Sequence, residues 1–316
     1  MRPGRRRGAL SHHEAHPACH HKAYCAVKTH EQRLRWNRSA VTLGEQLRST
    51  VTHSLAGDGP ITAITARKLG LRTALSANHV GADTTGSALL SRLDTAGVQH
   101  RLSLRARTTT SELTVVTDQA RTRTWLAHLT QAYIGLADAD LTALTRAKLA
   151  YIDCYQVLTT DAARAITAAA HAGVPLMLNL GGDPLHPGIQ RAASHAHPAV
   201  VQTSLPEHQA YLADEVADDL AARLTPAVVL VTLGSQGAIA HQPGARYRAP
   251  AGEGPIAHTH GAGAAFSAGF AASYLAGHDI PTALHHACRT GTAHCAPPGS
   301  HPGRPGDVLP PSGVSA

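Results

Sequence analysis

From about residue 148 onward, the chain alternates short apolar runs with longer stretches that have a helical pattern. Four runs are almost continuously apolar, as expected of strands buried on both faces: 149–155, 174–180, 199–203 and 228–233. After the first of them, an Ala-rich stretch has Thr160 or Asp161 as its cap and ends at Gly173, which predicts a helix. Strands that alternate with helices predict parallel βαβ units. We therefore expect an α/β protein, with a doubly wound, mostly parallel sheet and helices on both faces.

The remaining elements are predicted by the same patterns. A strand is expected over 71–80, followed by a helix over 83–96 that begins after Asp83 and ends at Gly97. Shorter strands, typical of a small separate sheet, are expected over 102–104, 112–117 and 122–127. The last predicted elements are a hairpin over 237–247 and two Ala-rich helices over 262–276 and 280–295.

Both ends of the chain differ from this regular middle part. Residues 1–40 mix Arg, His and Pro without strand or helix periodicity, and residues 297–316 repeat Pro and Gly. Such composition is typical of disordered segments. The predicted organisation is therefore a disordered tail over 1–40, one domain over 41–296 and a second tail over 297–316.

Charge and cysteine content narrow the functional classes. The chain has 28 Lys and Arg against 21 Asp and Glu, a net charge of +7. Residues 1–40 hold nine of the basic and two of the acidic residues, so the rest carries 19 of each sign. The Arg run at 5–7 has no interleaved aromatic residues, so we expect no nucleic-acid partner. No apolar run reaches the roughly 18 residues of a membrane span. Five scattered cysteines predict reduced thiols and a cytoplasmic protein.

The segment with the clearest chemistry is 258–266, with the sequence HTHGAGAAF. Phe266, Phe270 and Tyr274 recur at helical spacing, which places Gly261 and Gly263 at the N-terminus of that helix. Unpaired backbone N–H groups and the helix dipole favour an anion there, and glycines let a phosphate approach the backbone. Taken alone, the two glycines are a weak signal and are explained more simply by a tight turn packed against a helix.

Five segments in a consistent order resemble the ribokinase (PfkB) family of carbohydrate kinases, over roughly residues 55–296. They are 56–70 (AGDGPITAITARKLG), 80–86 (VGADTTG), 204–207 (SLPE), 231–238 (VTLGSQGA) and 258–266. The resemblance implies a ribokinase-like fold and transfer of the γ-phosphoryl group of ATP to a sugar, a nucleoside or a similar small alcohol. It implies ATP and Mg²⁺ as cofactors, and it is compatible with a homodimer formed through a lid sheet.

The resemblance also assigns roles to individual residues. The substrate loop would be Gly57, Asp58 and Gly59, and the anion hole would be Gly261, Ala262 and Gly263. The nucleotide would lie against Ser204, Glu207, Thr232, Gly234 and Gly237. Glu207 would also help to organise Mg²⁺.

The chain departs from the family pattern at the positions that matter most. Ala264 stands where the family has the aspartate that accepts the proton of the attacking hydroxyl, and alanine cannot accept a proton. His258 and His260 replace other residues of the same motif. A histidine could act as a base in place of the aspartate. However, both histidines precede the glycine turn, whereas the missing carboxylate would follow it. Ile61 stands where an asparagine that holds sugar hydroxyls is usual, and Asn179 where an aspartate is common.

The start of the domain is also unusually short. The family places a first strand with a sugar-binding aspartate, and a lid hairpin, ahead of the substrate loop. Here only residues 40–55 are available, with 41–45 (VTLGE) as a remnant of the strand. We therefore expect a small or truncated lid sheet, which would exclude water less well from the site.

The residues leave three interpretations of function open. The first is an ATP-dependent carbohydrate-type kinase impaired at its catalytic base. The second is a catalytically silent member that binds a nucleotide or a metabolite, and the third is a decaying copy with neither property.

A zinc site at Cys19, His20, His21 and Cys25 has suitable ligand types, but its spacing fits no established pattern. Cys154, Cys288 and Cys295 are expected in the core.

Overall fold

The computed structural model describes residues 28–35, 50–117, 123–128, 136 and 138–297. In chain order the strands are β1 (Lys28–Arg35), β2 (Thr50–Ala56), β3 (Ala74–Leu75), β4 (Val80–Gly81), β5 (Gln99–His100), β6 (Leu104–Arg105), β7 (Glu112–Thr117), β8 (Arg123–His128), β9 (Ala150–Asp153), β10 (Leu176–Asn179), β11 (Val200–Ser204), β12 (Val228–Thr232), β13 (Ala238–Gln242) and β14 (Ala245–Ala249). The α-helices are α1 (Asp58–Lys68), α2 (Thr84–Ala96), α3 (Thr159–His171), α4 (Pro187–Ser194), α5 (Ala213–Leu224), α6 (Ala262–Leu275) and α7 (Ile280–His294).

The central sheet has six strands in the order β14-β13-β12-β11-β10-β9. Strands β9 to β12 are parallel, and β12, β13 and β14 pair antiparallel, with β13 and β14 forming the predicted hairpin. Their apolar residues form two separate cores. Helices α3, α4 and α5 pack with one set on one face, and α6 and α7 pack with the other set on the opposite face. The predicted α/β fold, a mostly parallel sheet covered on both faces, is confirmed.

A smaller second sheet has four strands in the order β2-β1-β7-β8. Strand β1 pairs antiparallel with β2 and parallel with β7, although it lies within the segment 1–40 that was predicted to be disordered. That prediction is wrong for Lys28–Arg35. The sequence KTHEQRLR lacks strand alternation, but backbone hydrogen bonds to a neighbour on each side do not require it. The rest of both predicted tails, and the strand remnant at 41–45, lie outside the described residues.

Most other predicted elements agree with the structure within a few residues, and two differ. The single strand expected over 71–80 is two short strands, β3 and β4. The loop between them is tied to another loop, because the Ser76 hydroxyl donates to Asp140 O at 2.7 Å and Asp138 N donates to Asn78 Oδ1. Helix α3 has no side-chain cap. Neither Thr160 nor Asp161, the two predicted caps, has that role, and Asp161 instead accepts a hydrogen bond from Leu136 N at 2.6 Å.

No helix within the described part of the chain combines the length and the apolar character needed to cross a lipid bilayer.

Candidate active site

The glycine turn lies at the start of α6, as predicted. Gly261 caps the helix with φ of +75°, in the left-handed region that favours glycine. A Cβ atom at Gly261 would lie 2.7 Å from His294 Nε2 and 2.8 Å from Ile61 Cδ1. Gly263 is exposed, and a Cβ atom there would meet nothing within 4 Å. The first turn of α6 is therefore open at Gly263, and the backbone N–H groups of a helix N-terminus are suited to bind an anion.

Ala264 lies one residue further along α6 and is fully buried. Its carbonyl oxygen accepts a hydrogen bond from the Thr62 hydroxyl at 3.1 Å. The two histidines that precede the turn lie nearby: His260 is buried, and the ring of His258 contacts the ring of His294 edge-on, with centroids 5.6 Å apart. Position 264 thus supplies only a methyl group at the place where the family resemblance predicts a carboxylate.

The residues predicted to face a nucleotide lie together at the carboxyl ends of β11 and β12. Ser204 and Thr232 are paired residues of these parallel strands. The exposed Glu207 follows Ser204, and its Oε1 accepts a hydrogen bond from Ser235 N at 2.8 Å. Gly234 begins the short turn that this bond fixes, and a Cβ atom at Gly237 would collide with Ala249 O. In the structure, Glu207 holds this turn in place.

The predicted substrate loop leads from β2 of the small sheet into α1. Gly57 caps α1, and Asp58 and Gly59 form its start. Asp58 is 8% exposed. Because Ile61 reaches Gly261 and Thr62 reaches Ala264, the first turn of α1 lies against the first turn of α6. The predicted substrate loop and the predicted anion hole are therefore neighbours.

A buried polar network that the sequence did not predict lies beside Asp58. It contains Tyr151 and Asp153 of β9, Tyr155 two residues beyond that strand, and Asn179 at the carboxyl end of β10. The Tyr155 hydroxyl donates to Asp58 Oδ2, and the Tyr151 hydroxyl donates to Asp153 Oδ1 at 2.8 Å. Asn179 Nδ2 lies 3.0 Å from Asp153 Oδ1 and 3.4 Å from Asp58 Oδ2. One signal was available: polar residues recur at 151, 153 and 155 in an otherwise apolar run.

The network also connects the predicted substrate loop with the residues predicted to face a nucleotide. Gly181 N donates to Asn179 Oδ1 at 3.1 Å, and the Ser204 hydroxyl donates to Gly181 O. A continuous path of hydrogen bonds therefore runs from Asp58 through Asn179 and Gly181 to Ser204, at the end of β11.

Burial determines the protonation of this network. Burial, reinforced by the nearby charge of Asp58, raises the pKa of Asp153 to about 8. Burial also raises the pKa of Tyr151 and of Tyr155, and the neighbouring carboxylates raise both further. The two tyrosines are therefore donors, and burial favours the protonated form of Asp153.

Asp153→Asn is expected to make the stability of the protein less dependent on pH. Because the folded state holds this proton more tightly than the unfolded chain, the contribution of Asp153 is complete below its ordinary pKa of 3.8 and is lost as pH rises toward about 8. Asparagine mimics the protonated acid and does not titrate. Thermal unfolding of both proteins at several pH values in this range would measure the difference. Exposed Asp138→Asn is the control, and an equally steep decline in Asp153→Asn would contradict the assignment.

Metal-ligand types do not cluster in the part of the chain that the structure describes. Among those residues, no three His, Cys, Asp or Glu side chains are placed to hold a metal ion. The cysteine and histidine group at 19–25 lies outside them. Cys154, Cys288 and Cys295 are buried thiols, as expected for core residues, and burial raises the pKa of Cys288 to about 11.

Solved structures with the same fold include several small-molecule kinases. Ribokinase from Arabidopsis thaliana, complexed with ribose and ATP, is 19% identical, with a TM-score of 0.67 over 84% of this chain and 89% of that one. Adenosine kinase from Sinorhizobium meliloti is 17% identical, with a TM-score of 0.68 over 85% and 92%. A Burkholderia thailandensis nucleoside kinase, in complex with inosine, is 17% identical, with a TM-score of 0.65 over 84% and 88%.

Sequence comparisons agree with the fold. A search of curated proteins gives no match. The family model described as "pfkB family carbohydrate kinase" matches residues 38–305, most of the chain. The chain belongs to the pfkB family of carbohydrate kinases.

Proposed function

We propose that the protein binds ATP with Mg²⁺ and phosphorylates a sugar, a nucleoside or a similar small alcohol, at a rate limited by the absence of a carboxylate at position 264. The observation that carries this proposal is the glycine turn of α6, where the open space at Gly263 leaves the backbone N–H groups accessible to a phosphate. Phosphoryl transfer asks a protein chiefly for positioning and for stabilisation of charge on the transferred group. This turn is suited to both.

Each part of the site has a role in this proposal. Backbone N–H groups of Gly261, Ala262 and Gly263 would stabilise the charge on the transferred phosphoryl group. The nucleotide would lie along the carboxyl ends of β11 and β12, against Ser204, Thr232, Gly234 and Gly237. Strands β11 and β12 are neighbours in the sheet, and Ser204 is paired with Thr232. A hydrogen bond to Glu207 fixes the turn that begins at Gly234.

The chemistry of Glu207 fits an indirect role in magnesium binding. Its carboxylate is exposed, and Oε1 is engaged by Ser235 N. Mg²⁺ usually keeps several waters and binds through one or two carboxylates and the phosphates of its substrate. Glu207 would therefore hold Mg²⁺ through water, and the bound ion would neutralise phosphate charge.

The alcohol would lie between the small sheet and the network around Asp58. Gly57, Asp58 and Gly59 enter α1 from β2 of that sheet, and the network supplies carboxylate, amide and phenol groups. Such groups pair with the hydroxyls of a sugar or a nucleoside.

A second candidate function is binding without turnover. It is favoured by Ala264, because the loss of a general base typically costs about 10²–10⁴ in rate. Measurement of ATP consumption separates the two candidates, whereas ATP binding is common to both.

Gly263→Ala is expected to abolish ATP binding without loss of stability. A methyl group would fill the open space through which the phosphate approaches, yet alanine within a helix is about 1 kcal/mol more favourable than glycine. ATP binding by isothermal titration calorimetry, and consumption of ATP with ribose and inosine, would be measured beside thermal unfolding of both proteins. If the unaltered chain does not bind ATP, or if Gly263→Ala binds it normally, the proposed site is wrong.

A further inference from the structure

The proton of the attacking alcohol needs an acceptor, because Ala264 offers none. Position 264 carries a buried methyl group, and its carbonyl oxygen is occupied by the Thr62 hydroxyl. The contact between Thr62 and Ala264 brings the carboxylate of Asp58 toward this point, because Asp58 lies one helical turn before Thr62 on α1. Asp58 therefore lies on the same side of α1 as the residue that contacts α6.

Position in the fold distinguishes Asp58 from its neighbour Asp153. Both described hydrogen bonds to Asp153, from Tyr151 and from Asn179, end on Oδ1, so that Oδ2 is the oxygen available to carry a proton. Asp58 Oδ2 faces two donors, the Tyr155 hydroxyl and Asn179 Nδ2. Because each carboxyl group accepts from two donors on one oxygen, hydrogen bonding alone does not separate them. Asp58 is the first residue of α1, where the helix dipole favours a negative charge, whereas Asp153 ends a buried strand. This placement favours Asp58 as the carboxylate of the pair and Asp153 as the protonated acid.

We infer that Asp58 is the catalytic base of this chain in place of the missing aspartate, and that Asp153 is a positioning residue that holds the second proton of the pair. The inference rests on the proposed function. In the step it describes, the O–H bond of the alcohol breaks and the proton passes to the carboxylate of Asp58. The alcohol oxygen forms a bond to the γ-phosphorus of ATP, the bond to the bridging oxygen breaks, and its electron pair leaves with ADP.

The side chains around Asp58 and Asp153 do not change which of the two carries the proton. The titratable groups that face the pair are Tyr151 from β9, and Cys154 and Tyr155 just beyond that strand, whereas β10 contributes the amide of Asn179. Burial raises the pKa of all three groups, so that none of them competes for the role of carboxylate. Like charges at short range cannot both ionise readily, which leaves one acceptor in the pair.

A double-mutant cycle on the full chain tests the inference. ATP consumption with ribose and with inosine would be measured for the unaltered protein, Asp58→Asn, Ala264→Asp and the double variant, with Asp138→Asn as the exposed control. Asp58→Asn is expected to lower kcat about 100-fold or more in the unaltered background. In the Ala264→Asp background, which has its own base, the same change is expected to cost less than about threefold. A merely structural role for Asp58 would give equal losses in both backgrounds and would overturn the inference.

A second measurement does not depend on turnover. The infrared C=O stretching band of a protonated carboxylic acid is expected in the unaltered protein at about pH 6 and is expected to vanish in Asp153→Asn. Absence of the band in the unaltered protein means that both carboxylates are ionised and overturns the inference. Normal ATP binding without any consumption also overturns it while leaving the binding function intact, whereas failure to bind ATP refutes the proposed function itself.

Discussion

Ala264→Asp is expected to raise kcat for phosphoryl transfer about 100-fold or more. A positioned general base contributes roughly 10²–10⁴ to such a rate, and the lower part of this range applies if Asp58 already accepts the proton. The new carboxylate would occupy the third residue of α6, where the helix dipole favours a negative charge and partly offsets the cost of placing a charge at this buried position. Steady-state ATP consumption with ribose and inosine measures the gain, and titration calorimetry is expected to show an ATP affinity changed by less than about threefold.

The matched control places the same charge at the other end of the same helix. Ala276 is the exposed C-cap of α6, and Ala276→Asp is expected to leave kcat unchanged. An unchanged rate in Ala264→Asp, in a variant that still binds ATP, would mean that the site fails for reasons other than the absence of a base at position 264.

The parts of the site that the sequence predicted are local in the chain. Gly261 and Gly263 precede a stripe of core residues at helical spacing, so their place at the start of α6 follows from one segment. The same holds for Asp83, the observed cap of α2. In such cases the residues that determine the geometry are within a few positions of one another, and local rules suffice.

The parts that the sequence did not predict depend on residues far apart in the chain. Asp58 and Tyr155 are 97 residues apart, and Asp58 and Asn179 are 121 apart. No pattern within one segment indicates that these side chains meet, because the meeting point is set by the order of strands in the sheet. Strand β1 was not predicted for the same reason. Its own sequence lacks strand alternation, and its strand structure depends on backbone pairing with β2 and β7.

Glu207 shows how a predicted residue acquires a second role once its contacts are known. The family resemblance implied that it organises magnesium and phosphate. In the structure it also holds the turn that begins at Gly234, through Ser235 N and through its own carbonyl oxygen, which accepts from Gln236 Nε2 at 3.1 Å. A change at Glu207 therefore disturbs the proposed nucleotide site through the backbone as well as through lost charge. For this reason Ala264 and Asp58 are better tests of the chemistry than Glu207.

Asp83→Ala is expected to destabilise the protein by about 2–3 kcal/mol. Asp83 Oδ1 accepts hydrogen bonds from Gly86 N and from the Thr110 hydroxyl, and Oδ2 accepts from Thr110 N, each at 2.7 Å. One carboxylate thus caps α2 and ties it to the loop that leads into β7 of the small sheet. A lost helix cap costs about 1 kcal/mol, and hydrogen bonds to a charged group contribute about 1.5–3 kcal/mol. Urea unfolding at neutral pH measures the loss.

The pH dependence of this loss identifies its cause. Burial alone would raise the pKa of Asp83, but hydrogen bonds from Thr110 and Gly86 outweigh burial and hold that pKa below its ordinary value of 3.8. The contribution of a carboxylate with a lowered pKa is complete above its unfolded value and is lost as pH falls through the folded one. The difference in the free energy of unfolding between the unaltered protein and Asp83→Ala should therefore become smaller below about pH 4. Asp94→Ala, an exposed carboxylate on the same helix whose partner is His100, should cost less than about 1 kcal/mol. A loss in Asp83→Ala that stays constant down to pH 3 would assign the effect to packing and not to the charged hydrogen bonds.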